Sequence, residues 1–203
     1  MIKAIIFDLG GVLIFHRKLI ISHILTLLFP ETSLEDLLTL WDKYRIALNS
    51  GTISSKEMLE KMKKEFKSKE SVDALLKQWR LYYGQQVKET NLDLLEVVKL
   101  LRKKYKVYLL TDTIDVHDQV NSKRAIYEQF DGVYKSFKMG MAKMDGENAF
   151  RYVISDIGAS PEECVFIDDT ERNIEIAKAI GMKAILFTDN EALQKEWKSV
   201  GII

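Results

Sequence analysis

The sequence predicts an α/β fold in which a parallel sheet is flanked by helices and a small helical cap is inserted after the first strand. Short apolar runs alternate along the chain with segments of helical periodicity, a pattern typical of parallel strands joined by crossover helices. Several of the apolar runs end on polar residues. A helical segment of about 75 residues separates the first run from the second, and it is too long to be a simple crossover.

The first strand is predicted at residues 3–7, where an apolar run ends directly before Asp8 and two glycines. Buried parallel strands have continuous apolar sequences of this kind. Further strands are predicted at residues 106–110, 164–167 and 183–187, with a weaker candidate at residues 132–137. A carboxylate after a buried strand has no role in packing, whereas ligands of open α/β sheets bind at that end of the strands. Asp8 is therefore the first candidate for a catalytic residue.

Helices are predicted between these strands. Asn91 can cap a helix whose apolar residues recur at helical spacing from Leu94 to Leu101. Two more helices are predicted at residues 149–157 and 172–180. The resulting alternation of strand and helix favours a parallel sheet over an antiparallel one.

Residues 15–90 have helical patterns throughout. Ser33 and Ser54 are each followed three residues later by an acidic residue, which predicts two capping boxes, and Gly51 and Gly84 are predicted to end helices. We expect this segment to lie over the carboxyl edge of the sheet, where it could exclude water and select substrates. The alternative is a helical bundle that only enlarges the core.

The predicted organisation is therefore a core with one insertion. The catalytic core comprises residues 1–14 and 91–203, and the helical cap comprises residues 15–90. A chain of 203 residues is long enough for one complete core with a small additional lobe.

The composition argues against several classes of function. The chain has 47% apolar and 30% charged residues, which is typical of a soluble globular protein. Its 30 basic and 30 acidic residues give a net charge of zero, which argues against a nucleic-acid-binding surface. Cys164 is the single cysteine, so no internal disulfide can form, and no apolar run approaches the roughly 20 residues of a membrane span. Because the N-terminal residues also differ from a signal peptide, we expect a cytoplasmic protein with no membrane partner.

Polar residues from four segments are predicted to converge at the carboxyl edge of the sheet. The first strand ends at Asp8, the second at Thr111, and the fourth at Asp168 and Asp169, while the weak third strand leads toward Lys143. Carboxylates that lie this close repel one another unless a cation joins them or some are protonated. Because only oxygen ligands are at hand, with no histidine or cysteine beside them, Mg²⁺ is the ion that fits.

These residue types suit phosphoryl transfer. Thr111 and Lys143 can bind phosphate oxygens by a hydrogen bond and a point charge. Asp8 remains as the nucleophile, since carboxylates form aspartyl-phosphates. The metal and the lysine would then stabilise the charge of the transferring group. Taken singly, the two aspartates could simply cap a helix, and the lysine could be an ordinary solvated surface residue. The prediction therefore depends on finding these residues together.

Four motifs in this order resemble those of the haloacid dehalogenase-like hydrolase superfamily. They are Phe7-Asp8-Leu-Gly-Gly-Val12, Leu110-Thr111-Asp112-Thr113, Lys143-Met-Asp145 and Phe166-Ile-Asp168-Asp169. The resemblance covers essentially the whole chain, and residues 15–90 resemble the first-type cap of that family. It implies a Rossmann-like sheet and a phosphatase that cleaves a small phosphorylated metabolite through an aspartyl-phosphate.

The resemblance also implies a role for each motif residue. Asp8 would be the nucleophile and a metal ligand, and Gly10 would bind the metal through its backbone carbonyl. Asp168 and Asp169 would be the other Mg²⁺ ligands. The phosphate-binding residues would be Thr111, Asp112 and Lys143, and the catalytic residues would be Asp8, Thr111 and Lys143.

The chain departs from the family pattern at three positions. Gly10 stands where most phosphatases of the family have a second aspartate, which protonates the leaving group; general acid–base help of this kind is typically worth about 10²–10⁴-fold. Asp112 stands where asparagine is usual, and Met144 where proline usually follows the lysine. The carboxylate of Asp112 is expected to turn away and cap the segment that follows it, or to act as a replacement acid. His16 is the other candidate for that acid.

Three other functions compete with the phosphatase. A 2-haloacid dehalogenase would also use Asp8 as nucleophile but needs no metal, whereas the pair Asp168 and Asp169 argues for one. A receiver-type signalling domain would have its carboxylate pair first in the chain and would lack the helical insert. A catalytically weakened relative that binds a phosphorylated ligand or a protein is suggested by Gly10. The sequence predicts neither the substrate nor the oligomeric state.

Overall fold

A computed structural model describes residues 1–16 and 19–202 of the chain, so that residues 17 and 18 of the predicted cap lie outside the described part. The strands, numbered along the chain, are β1 (Ala4–Phe7), β2 (Ile14–His16), β3 (Val87–Thr90), β4 (Lys106–Thr111), β5 (Gly132–Lys135), β6 (Cys164–Asp168) and β7 (Lys183–Leu186). Five of them form a parallel sheet in the order β5–β4–β1–β6–β7. The central strand β1 is therefore hydrogen-bonded on both sides, which suits its four fully buried residues.

Helices cover both faces of this sheet. They are α1 (Ile20–Leu28), α2 (Leu34–Asn49), α3 (Ser55–Glu65), α4 (Val72–Gln86), α5 (Leu92–Leu101), α6 (Asp115–Asn121), α7 (Ser136–Met139), α8 (Asn148–Asp156), α9 (Glu171–Ala179) and α10 (Asn190–Ser199). Successive side chains of a strand point to opposite faces. Accordingly, Ile5 and Phe7 pack in the cluster that includes α5 and α10, whereas Ile6 packs in the cluster that includes α8 and α9. The predicted α/β fold is confirmed.

The described residues of the predicted helical insert form four helices, but the insert is not helical throughout. Helices α1–α4 lie between β2 and β3, which pair antiparallel, with Ile14 opposite Thr90. The prediction of helix at both ends of residues 15–90 is therefore wrong, because these short segments satisfy their backbone groups by pairing with each other. The limits of core and cap stay a prediction.

Some of the helix caps and helix ends predicted within the insert are present in the structure, and others are not. The capping box of Ser54 and Glu57 is present at the start of α3, and Ser33 caps α2 by accepting from the backbone N–H of Asp36. Gly84 does not end a helix: α4 continues through it to Gln86. Among the described residues, no helix is long and apolar enough to cross a membrane.

Candidate active site

The carboxyl ends of three neighbouring strands bring the predicted site residues together. Asp8 follows β1, Thr111 ends β4 and Asp168 ends β6, and the backbone N–H of Asp8 donates to the carbonyl oxygen of Ile167 at 2.8 Å. One carboxylate oxygen from each of Asp8, Asp168 and Asp169 lies within 4.8 Å of the other two. The sheet topology thus creates the carboxylate cluster that the motifs predict.

The ammonium group of Lys143 lies between two of these carboxylates. Its Nζ is 2.8 Å from Asp8 Oδ1 and 2.6 Å from Asp168 Oδ2, and the residue is only 1% exposed. Burial alone would lower the pKa of Lys143, but the carboxylates around it raise that pKa above its ordinary value. The lysine is therefore a fixed positive charge and not a proton donor.

The two aspartates that follow β6 have different surroundings. Asp168 is fully buried, and its oxygens accept hydrogen bonds from the Asn173 amide at 3.0 and 3.1 Å and from the backbone N–H of Thr170 at 2.8 Å. Asp169 is exposed and lines the cavity above the site. Partial burial, followed by the charge of Asp168, raises the pKa of Asp169. Asp168 is thus held in place by protein donors, while Asp169 faces the cavity.

The carboxyl group of Asp8 is strongly perturbed by its surroundings. Burial raises its pKa to about 7, in spite of the Lys143 ammonium beside it. When all three carboxyl groups are ionised, the carboxylates and the one ammonium leave two negative charges, which one divalent cation would balance. The oxygen-only donor set also fits Mg²⁺. The residues present are therefore suited to hold this ion.

Two consecutive glycines shape the loop after Asp8. Gly11 has a φ of 76°, and a Cβ there would lie 2.0 Å from Asp169 Oδ2, so that any other residue would strain the backbone and displace the Asp169 carboxylate. At Gly10 the described part of the chain leaves room for a side chain, since the atom nearest to an added Cβ is His16 Nε2 at 3.6 Å. His16 also lines the cavity with Asp8. Its ring nitrogen consequently lies beside the space that an aspartate at position 10 would occupy.

Asp112 and Met144, two departures from the family pattern, are in contact with each other. Asp112 Oδ1 accepts from the backbone N–H of Lys143 at 2.8 Å, and Oδ2 accepts from that of Met144 at 3.1 Å. Proline at position 144 would lack the second donor. The carboxylate turns away as expected, but it caps the loop that contains Lys143 and not the segment that follows Asp112, so that part of the prediction is wrong. Because both oxygens accept from backbone N–H groups, the geometry argues against the role of replacement acid. A phosphate contact from Asp112 would have to come from its backbone.

A cavity of about 520 Å³ lies above this cluster and extends to the insert. Its walls include Asp8, Thr111 and Lys143 from the core and Trp41 and Tyr83 from the insert. His117 and Asn121, on α6, also line it. The sequence analysis missed both residues, because α6 has only seven residues and no clear amphipathic repeat.

These features define an α/β enzyme whose oxygen-rich site lies at the carboxyl edge of a parallel sheet, next to a helical insert. The family model described as haloacid dehalogenase-like hydrolase matches residues 2–181, and the chain belongs to this family. It is therefore a hydrolase, and the resemblance seen in the motifs is confirmed.

Comparison with individual proteins points to phosphatases. The chain is 28% identical, over 90% of each protein, to a D-ribitol-5-phosphate phosphatase of Bacteroides thetaiotaomicron. A sesquiterpene phosphatase of Aspergillus oryzae is 32% identical over 46% of this chain and 48% of its own length. A similar crystal structure is that of a haloacid dehalogenase-family enzyme from B. thetaiotaomicron in complex with magnesium and inorganic phosphate. It superposes with a TM-score of 0.78 over 93% of this chain and 95% of that one, and the two sequences are 26% identical.

Proposed function

We propose that the protein is a Mg²⁺-dependent phosphatase that cleaves a small phosphorylated metabolite through an aspartyl-phosphate on Asp8. The observation that carries the proposal is the buried cluster of Asp8, Lys143 and Asp168, with Asp169 beside it, because its two unbalanced negative charges suit one divalent cation. The phosphatase relatives, and the related structure with magnesium and phosphate, support the same function.

The metal would be held by oxygen atoms of the loops after β1 and β6. The proposed ligands are the carboxylates of Asp8, Asp168 and Asp169 and the backbone carbonyl of Gly10. When bound, Mg²⁺ would neutralise charge on the carboxylates and on the phosphate of the substrate. The hydrogen bonds from Asn173 and Thr170 would keep Asp168 oriented for this role.

The chemistry of the chain's own residues follows from the contacts of Asp8. Lys143 binds Oδ1, which leaves Oδ2 to attack phosphorus. The new bond from Asp8 to phosphorus forms as the bond from phosphorus to the leaving oxygen breaks, and the electron pair of that bond goes to the oxygen. Water then attacks phosphorus, which releases inorganic phosphate and restores the carboxylate. Thr111 and Lys143 would bind phosphate oxygens throughout, and Lys143 would remain protonated.

We assign protonation of the leaving group to His16. Gly10 has no proton to give, and the Nε2 atom of His16 lies 3.6 Å from the position of the missing Cβ. An imidazolium at this point could give its proton to the departing oxygen and, as neutral imidazole, could then accept one from the attacking water. This role would explain how the chain can dispense with a second aspartate.

A screen of phosphorylated metabolites and of an aryl phosphate, with Mg²⁺ and with a chelator, tests the proposal. We expect release of inorganic phosphate only with a divalent ion, and none from the Asp8→Asn variant. Full hydrolytic activity in the chelator would contradict the metal role. Tight binding of phosphorylated compounds without turnover of any of them would favour a ligand-binding relative.

A further inference from the structure

A buried amide in the wall of the cavity lacks a hydrogen-bond partner. Asn121 is 2% exposed, and its Nδ2 donates to the Tyr83 hydroxyl at 2.9 Å, while Oδ1 has no partner among the described residues. An unpaired buried acceptor costs about 1–3 kcal/mol, and such groups are rare in native proteins. A tyrosine hydroxyl can donate or accept, so turning the amide over would only leave Nδ2 as the open end. In both orientations one end of the amide can receive a partner.

His117, one helical turn before Asn121, supplies a hydrogen-bond donor in the same wall. Its Nε2 accepts from the indole N–H of Trp79 at 3.0 Å, and its ring stacks on Tyr83 with 3.9 Å between the centroids. Because an indole nitrogen only donates, Nε2 must be unprotonated. Burial, assisted by His16, lowers the pKa of His117 to about 3, so that the ring is neutral and its proton is on Nδ1. Because His117 lines the cavity, this N–H is a donor in the same wall as the Asn121 amide.

Apolar side chains form another part of this wall. Trp41 packs against Trp79 with 6.3 Å between ring centroids, and Ile20 and Ile21 line the same cavity. An apolar wall with a few fixed polar groups is typical of a ligand site, in which the polar groups determine orientation and specificity. Because Asp8 lines this same cavity, a substrate with its phosphate at Asp8 would extend the rest of its structure along the wall.

The chemistry of the Asn121 amide and the His117 N–H limits which leaving groups the substrate can have. A hydroxyl group both donates and accepts, so it can pair with the open end of the amide and with the imidazole N–H. A purely hydrocarbon leaving group would bury both groups without partners. Sites built to bind a hydroxyl strongly reject analogues that lack it, for this reason.

We propose that Asn121 and His117 form a subsite for hydroxyl groups of the substrate, which selects the phosphate monoester of a polyol or sugar over that of a hydrocarbon alcohol. The inference rests on the proposed phosphatase function. It places the recognition of the leaving group on α6, where Tyr83 and Trp79 of the insert hold the two polar side chains in position.

The test compares kcat/KM for D-ribitol 5-phosphate and for pentyl phosphate, which has the same number of carbon atoms and no hydroxyl group. We expect the wild type to prefer the polyol ester at least about 100-fold. Asn121→Leu has a similar shape without the amide, and His117→Phe retains the stacking on Tyr83 without the ring nitrogens. Each variant should reduce the preference about tenfold or more. The control Gln119→Leu makes the same amide-to-leucine change on α6 and should retain the preference. Gln119 is exposed, and its amide oxygen accepts from Arg80.

Equal rates with the two esters in the wild type would overturn the inference, and so would a preference that survives both variants. Calorimetric binding of the two esters to the inactive Asp8→Asn protein provides the same comparison without turnover. If a variant fails to fold, the ratio of kcat/KM for the two esters in the wild type still decides the test. Hydrolysis of an aryl phosphate with Mg²⁺ is measured alongside. If the wild type fails to hydrolyse it, the phosphatase proposal fails; if it succeeds but shows no polyol preference, only the subsite is refuted.

Discussion

Replacing Asp8 by asparagine should stabilise the metal-free protein at alkaline pH while it abolishes hydrolysis. Asp8 is 8% exposed, and burial raises the pKa of its carboxyl group from 3.8 to about 7. Because the folded-state pKa is the higher one, folding favours the protonated form. The corresponding stability is fully present below pH 3.8 and is lost as the pH rises through 7. Asparagine has similar volume and no charge, so the variant should not suffer this loss.

The size of the effect follows from the shift in pKa. A shift of about three units corresponds to at most about 4 kcal/mol in the free energy of unfolding, of which about 3 kcal/mol falls between pH 5 and pH 8. For a chain of this length, that is about 6–12 °C in Tm. Lys143 keeps its contact with Asp168 in the variant, so its ammonium is not left unpaired.

The assay is denaturant unfolding of both proteins at pH 5 and pH 8 with a chelator present. The difference in unfolding free energy, variant minus wild type, should increase by about 3 kcal/mol between the two pH values. Addition of Mg²⁺ at pH 8 should stabilise the wild type more than the variant. A difference that is the same at both pH values would refute the argument that burial of an ionised Asp8 strains the metal-free fold.

Three further variants test the remaining assignments. Asp169→Asn should weaken Mg²⁺ binding at least about tenfold with little change in Tm of the metal-free protein, and an unchanged thermal shift on addition of Mg²⁺ would contradict its role as a ligand. His16→Ala should slow the hydrolysis of alkyl phosphates about 100-fold but that of aryl phosphates far less, because aryl leaving groups need little protonation. Adding Gly10→Asp to this variant should restore the rate with alkyl phosphates. Equal losses with both classes of substrate would exclude proton transfer by His16. Asp112→Asn places an amide NH₂ opposite the N–H of Met144, and we expect kcat to fall about tenfold. Met144→Pro removes that N–H and should partly restore kcat in the double variant. Strictly additive effects of the two substitutions would show that the residues are not coupled.

The fold was predictable where local patterns are strong. The strand that ends at Phe7 is buried on both faces and is therefore continuously apolar, and the helix after Asn91 shows both its cap and its apolar stripe. β2 has only three residues, and its partner β3 lies more than 70 residues away, so no local period reveals the pairing. Gly84 was misjudged because packing of α4 against the core outweighs the modest helix penalty of one glycine.

The candidate site shows the same distinction. The three aspartates of the site lie at the carboxyl ends of β1 and β6, so their convergence follows from the topology of a parallel sheet. Two contacts that orient side chains around the cavity, however, join residues that are distant in sequence. Asp112 lies 32 residues from Met144, and Trp79 lies 38 residues from His117. Neither contact has a sequence pattern of its own, and each became visible only when the elements were packed together.

The central claim is that Asp8 carries the phosphoryl group during turnover, and acid quenching of the reaction tests it most directly. The wild type is mixed with an aryl phosphate and Mg²⁺, quenched within the first turnovers, digested at low pH and analysed by mass spectrometry. We expect the peptide that contains Asp8 to gain one phosphoryl group, and to remain unmodified when Mg²⁺ is replaced by a chelator. Rapid release of inorganic phosphate with no phosphorylated Asp8 at any quench time, or with the phosphoryl group on another residue, would contradict the account.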